Sequence, residues 1–202
     1  MTTTTRTTAQ GAAESASVAQ TLRLLRGVWH EHIAGYDFSG NELTDDPEAA
    51  RPGPLPFEQL VYLDLDGDDY RQTNVVVRGR PAHTRTFTGR IVDGILHFDL
   101  PEGAPDIVGV SAGPGTVVFG PTRLDGPAAR YAEPDWVRHL GNNQRTRTTA
   151  LYRHGVLVRT LTANATRINE DPTRRLPWDP RGADGPVHDG SAQTTVYREE
   201  SK

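Results

Sequence analysis

The chain has 202 residues and no cysteine, with 35% hydrophobic and 24% charged residues and a formal charge of −4. The length suits one domain with tails. The missing cysteine excludes disulfides, Cys-ligated zinc, iron–sulfur clusters and a thiol nucleophile. The net charge gives no overall pull toward nucleic acid or an anionic membrane.

Residues 1–16 are Thr-rich with no apolar run, so a disordered start is expected. They lack the apolar stretch of a secretory signal or a membrane span, which points to a cytoplasmic protein without membrane association. Val18, Leu22 and Leu25 then recur at helical spacing, with Ser17 placed as N-cap and Gly27 just past the end. Residues 45–56 hold four prolines and read as a loop.

The middle of the chain reads as antiparallel β. Turn signals at Ser39-Gly40, Asp66-Gly67-Asp68, Asp93-Gly94, Gly113-Pro114-Gly115 and His154-Gly155 separate short runs of Val, Thr, Ile, Tyr and Phe. Asp93-Gly94 predicts a hairpin that pairs Ile91 with Leu96 and Gly89 with Phe98. Phe87, Ile91, Leu96 and Phe98 then face inward, with Thr88, Arg90 and His97 outside. A two-residue turn at His154-Gly155 would put Thr148, Tyr152, Arg159 and Leu161 inside and Arg145, Arg147 and Thr149 outside. That inner face is semi-polar. A packed sandwich would rarely bury Arg159, whereas a hollow barrel accepts it. Residues 120–143 read as an insertion, with a short helix predicted over 133–141. Residues 170–202 read as a Pro/Gly-rich tail with a late strand over 193–198.

The order of short helix, Gly27-Val28-Trp29 strand, hairpins and a final strand ending near Arg167 resembles the calycin superfamily of lipocalins, fatty-acid-binding proteins and bacterial lipocalin-like relatives. The resemblance covers roughly residues 22–168. It implies an up-and-down antiparallel barrel over 17–169, with Trp29 plugging one end and Arg167 packed over it. A guanidinium stacked on an indole is favourable on general grounds.

In such a barrel Trp29, Glu31 and Ile33 point inward and His30 and His32 outward. Glu31, Arg159, Tyr152 and His83 are the candidate catalytic residues. Trp29, Ile33, Gln59, Arg85, Phe87, Phe98, Thr148, Leu161 and Trp136 are the candidate ligand contacts. Glu31 and Arg159 are expected to pair, either across a ligand or as a structural ion pair. Trp136 and His139 are expected on a lid over the mouth. No metal and no cofactor is expected. His30-x-His32 lacks a third ligand, and the acids at 64–69 lack the twelfth-position carboxylate of a calcium loop. Arg145, Arg147 and Arg153 lack the interleaved aromatics of an RNA surface.

Barrels resembling this one include cofactor-independent cyclases and isomerases of secondary metabolism, which work by holding a reactive conformer. The sequence therefore points to an enzyme of that class acting on a small hydrophobic or polyketide-like ligand. A non-catalytic carrier or sensor is the alternative, and pigment attachment is a third reading by shape. A homodimer is left open.

Overall fold

The computed structural model describes residues 17–46, 52–102, 104–123, 125 and 130–188. The expected disordered start and the late strand at 193–198 lie outside them. Helix α1 (Val18–Leu25) is followed by β1 (Gly27–Asp37), β2 (Glu42–Leu43), β3 (Asp45–Asp46), β4 (Gly53–Pro54), β5 (Phe57–Asp66), β6 (Asp69–Arg78) and β7 (Thr84–Val92). Then come β8 (Ile95–Phe98), β9 (Ile107–Ser111), β10 (Thr116–Pro121), β11 (Tyr131–Ala132), β12 (Asp135–Gly141), β13 (Gln144–Arg153) and β14 (Val156–Asn169). Neighbouring strands pair in the order β13-β12-β10-β9-β8-β7-β6-β5-β1-β14, and β14 pairs back with β13. The result is a closed ten-stranded antiparallel barrel, as the alternation of the strands predicts. Closure leaves no edge among these ten strands to be paired by another chain.

The helix closes one end. Ser17 and Gln20 form a reciprocal capping box, with Gln20 N donating to Ser17 Oγ at 3.2 Å and Ser17 N donating to Gln20 Oε1 at 2.7 Å. Val18, Leu22 and Leu25 are buried against Trp29, Leu63, Tyr70, Ile91, Leu96, Val117 and Val137. At the other end Ile33, Leu55, Phe57, Val76 and Ala163 form a smaller cluster.

The Asp93-Gly94 hairpin has the expected register, with Ile91 opposite Leu96 and Gly89 opposite Phe98. Its turn residues have φ of 50° and 79°, the left-handed pair that a two-residue hairpin needs. The His154-Gly155 turn has the same form, with φ of 50° and 76°. Tyr152 pairs with Leu157 as expected, but a bulge follows at once and Leu151 pairs with Arg159. Val158 is the extra residue. One inserted residue reverses the parity of all of β13 relative to β14. Arg145, Arg147, Thr149 and Leu151 therefore face the lumen with Arg159, Leu161 and Ala163, and Thr148 and Tyr152 face away.

The expected insertion and its helix are also corrected. Residues 135–141 form strand β12, a full stave between β10 and β13. Asp135, Val137 and His139 face in, and Trp136, Arg138 and Leu140 face out. This period-2 pattern outweighs the proline and glycine that suggested helix ends.

The segment after β14 folds back over the outer face of β1, β5 and β6. Val187 is buried with Val28, Leu60, Tyr62 and Val75, and Leu176 packs beside them. Tyr62 Oη donates to Asp179 Oδ2 at 2.7 Å and accepts from the Leu176 amide at 3.1 Å. Burial, reinforced by the Asp179 carboxylate, pushes the Tyr62 phenol up to about 12. Tyr62→Phe removes a donor from a buried carboxylate, at a cost of about 1–3 kcal/mol. Hydrogen exchange should quicken across residues 176–188 and stay unchanged in β12–β14. Unchanged exchange in 176–188 would show that the phenol does not hold this segment.

Candidate functional site

The lumen is divided by a polar layer centred on Glu31. β1 places Trp29, Glu31 and Ile33 one above another on its inner face, and all three side chains are fully buried. The carboxylate of Glu31 accepts Gln59 Nε2 at 2.7 Å, Arg145 Nη2 at 2.8 Å and Arg147 Nη2 at 3.1 Å. Burial raises its pKa, but Arg147 and Arg145 outweigh that and hold the carboxyl below its ordinary value. Below this layer, Trp29 lies between the guanidiniums of Arg145 and Arg167, 4.6 Å and 4.8 Å from its ring. Its Nε1 donates to the Leu25 carbonyl at 2.7 Å, and Arg167 Nη2 donates to the Leu24 carbonyl. The two end carbonyls of α1 are thus bonded to the plug, as the resemblance implied for Trp29 and Arg167. His139 meets Trp29 edge-on at 6.3 Å, and burial together with Arg167 and Arg145 holds its imidazole below its usual value.

Strands β7, β8 and β10 carry an aromatic wall that packs against the helix-end cluster. Phe87, Phe98 and Phe119 face inward yet are only half-buried. Their rings meet edge-on, with centroids 6.5 Å apart for Phe87–Phe98 and 5.6 Å for Phe98–Phe119. Gly109 makes room for this cluster, since a Cβ there would lie 2.9 Å from the Phe119 ring. Tyr70, Gln72 and Asn74 continue the wall as a hydrogen-bonded chain along β6. Asp135, opposite Phe119 across β10–β12, accepts a bond from Thr149 Oγ1 and lies 3.8 Å from Arg147 Nη1. Its side chain keeps 26% of its surface exposed. Burial pushes the Asp135 pKa up; Arg147 and Thr149 offset only part of this, and Glu133 and Glu31 add to it.

The mouth carries a second charge cluster. Arg159 Nε donates to Asp46 Oδ1 at 2.7 Å and Nη2 to Glu133 Oε1 at 2.9 Å, while Arg80 Nη2 lies 3.6 Å from Asp46 Oδ2. Arg85 stacks over the Phe87 ring at 4.5 Å. The two clusters are each balanced, Glu31 and Asp135 against Arg145 and Arg147, and Asp46 and Glu133 against Arg80 and Arg159. Such balance lowers the cost of burying charge.

Of the sequence-derived candidates, Trp29, Glu31, Ile33, Gln59, Arg85, Phe87, Phe98, Arg159 and Leu161 share the lumen. Glu31 and Arg159 do not pair with each other, because each has its own partners. His83 stands half-buried just ahead of β7, with Nδ1 3.3 Å from the Pro81 carbonyl. Thr148 and Tyr152 fall on the outer parity because of the Val158 bulge. Trp136 is 41% exposed on the outside of β12, so it forms no lid. Sequence reasoning missed Arg145, Arg147, Thr149 and Asp135. The available signal was Leu151, an apolar residue on the supposedly solvated arginine face. His30 and His32 do point outward, and His30 pairs with Glu58 at 2.9 Å. Among the described residues no group of three or more His, Asp or Glu is set to hold a metal ion, and no helix is long and apolar enough to cross a membrane. Two surface hollows, of about 280 Å³ over β13 and β14 and about 120 Å³ at the Asp64–Asp69 turn, lie outside the lumen.

No family model and no curated protein matches the chain. Solved structures do. A protein of unknown function of the DUF3598 family from Nostoc punctiforme aligns with a TM-score of 0.53 and 16% identity, over 73% of this chain and 49% of that one. The S-type phycobiliprotein lyase CPES from Guillardia theta aligns with a TM-score of 0.52 and 9% identity, over 75% of this chain and 92% of that one. The chain spans about half the length of the DUF3598 protein. At these identities the likeness is one of fold, a closed antiparallel β-barrel.

The two lumen acids have opposite effects on stability. The folded-state pKa of Glu31 lies below the ordinary 4.5, so its stabilising contribution is complete above that pH and is lost as pH falls through the folded value. For Asp135 the folded-state pKa lies above 3.8, so ionisation opposes folding and its cost is complete once pH exceeds the folded value. Glu31→Gln should lose about 3–5 kcal/mol at neutral pH by leaving two buried arginines short of a partner. Asp135→Asn should raise the unfolding temperature at neutral pH, with the gain vanishing in acid. Urea and thermal unfolding between neutral pH and about pH 3 check both signs.

Proposed function

We propose that the barrel takes a small, largely apolar metabolite into the lumen and converts it by cyclisation or isomerisation. The observation that carries this reading is the half-buried aromatic wall of Phe87, Phe98 and Phe119, continuous through the Phe119–Asp135 pair with the charge-fixed residues Asp135, Thr149 and Arg147. A mostly apolar concave surface with a few fixed polar groups is the usual form of a small-molecule site. One neighbour in fold is named for acting on phycobiliproteins, which supports a site inside the barrel without defining this chain's ligand.

In this reading the aromatic wall and Leu161 hold the apolar body of the ligand in one conformer, which supplies the entropic part of the catalysis. Arg147 offers positive charge to a developing oxyanion. Asp135, with its raised pKa, exchanges a proton at a carboxyl oxygen. Glu31 does not take part directly. It fixes Arg145 and Arg147 in place, and its own oxygens are occupied by three donors. The ligand-binding unit is the barrel of residues 17–169 with the segment 171–188 folded over its outer face, and its proposed location is the cytoplasm.

A carrier or sensor uses the same wall without the proton step, and Asp135 separates the two readings. Binding is followed with an anilinonaphthalene sulfonate dye, and turnover by mass analysis of a metabolite extract incubated with the protein. Phe98→Trp should fill the aromatic wall and weaken dye binding about tenfold at an unchanged unfolding temperature. Unchanged dye affinity would overturn the lumen site. Asp135→Asn should retain dye binding and abolish turnover. If the wild type retains an extract compound unchanged, the barrel is a carrier.

A further inference from the structure

A second apolar surface lies on the outside of the barrel. Along one register row, Val92 on β7 sits beside Ile95 on β8, Val110 on β9 beside Val118 on β10, and Val118 beside Trp136 on β12. Leu96 pairs with Gly109, which sets Ile95 next to Val110 and completes the row. Val92 is 48% exposed, Ile95 37%, Val110 38% and Trp136 41%, with Val118 half-buried between them. At a strand spacing of about 4.8 Å the row is about 19 Å long. A contiguous apolar strip of this kind marks an interaction surface more often than scattered exposed residues do. The opposite outer face, over Val28, Leu60, Tyr62 and Val75, is covered by the chain's own residues 176–187. One apolar outer face is therefore covered from within, and the other is covered by none of the described residues.

The two ends of the row differ in charge. Beyond Val92 lie the exposed Asp66, Asp68 and Asp93, together with Asp69, which is paired to Arg90 at 2.8 Å. Asp68 is level with the row's end, because its carbonyl accepts the Ile91 amide. Beyond Trp136, two residues along the same outer face, lies the exposed Arg138. A two-fold axis through Val110 turns the row end for end. It sets Val110 against its own copy, Ile95 against Val118, and Val92 against Trp136. It also brings the acidic turns of one copy to Arg138 of the other. A strip whose two ends carry opposite charge matches itself in charge under a two-fold axis, as an isologous contact requires.

We infer that this row is the interface of a symmetric homodimer, whose occupant is a second copy of the chain. The pairing buries Trp136 at both ends of the strip, each against Val92 of the opposite copy, and aromatic residues of that kind dominate interface energetics.

Sedimentation velocity on the full chain, from nanomolar to high micromolar concentration, should show a monomer–dimer equilibrium. Trp136→Lys and Val110→Asp should each weaken association about thirtyfold or more without lowering the unfolding temperature, since both side chains are exposed in the monomer. Asp68→Arg and Arg138→Asp should each weaken the dimer, and the double variant should recover it, which only a contact between copies of the same chain can do. A monomer at every concentration, or a dimer that survives Trp136→Lys, overturns the inference. So does a monomeric full chain that dimerises only when cut after His188, since that places residues 189–202 on the row.

Discussion

The buried carboxylate of Glu31 organises the interior. It sits in a fully enclosed position, where an unpaired charge would be prohibitive, and three donors from two strands converge on it. Gln59 comes from β5, and Arg145 and Arg147 come from β13, which meets β1 only through β14. The carboxylate therefore ties two strands on either side of it into one register. Arg145 also lies on Trp29, whose indole bonds the end of α1. The helix plug, the tryptophan and the strand register are consequently one coupled unit, and a shift in any of them would expose the charge.

Much of the architecture was legible because it rests on local rules. The N-cap at Ser17, the Asp93-Gly94 hairpin and the inward Trp29-Glu31-Ile33 parity all follow from residues close together in sequence. What was not legible depends on one inserted residue. The His154-Gly155 turn is of the expected kind, but the bulge at Val158 reverses which side of β13 faces the lumen. No composition rule announces a bulge in a long strand of threonine and alanine. The reversal moved two arginines from a supposed solvent face into the centre of the protein and sent Thr148 and Tyr152 outward. The strand at 135–141 was missed for a different reason, because proline and glycine near its ends resemble helix boundary signals when the alternation between them is not weighed.

The low hydrophobic content has a structural explanation. The helix end of the barrel is packed with aliphatic side chains around Trp29, and the opposite end has a smaller cluster around Ile33 and Phe57. Between them lies a layer of charges and amides that a fully apolar core would not contain. Arginine suits this layer. Its planar group stacks on Trp29 or Phe87 while its edge bonds a carboxylate, so one residue type serves both apolar and ionic contacts. The absence of cysteine and near-absence of lysine leave proton transfer in this interior to carboxylates, tyrosines and His139, and Asp135 is the carboxylate whose surroundings favour the protonated form.

The strap formed by residues 171–188 means that the ten staves are not a self-sufficient body. Without it Val28, Leu60, Tyr62 and Val75 would form a continuous greasy patch on the convex wall, beside strands rich in β-forming residues. A chain cut at Asn169 would keep every stave of its barrel and still be prone to stick to its neighbours. The smallest piece that behaves well in solution therefore ends beyond Val187, some twenty residues after the last stave closes the ring.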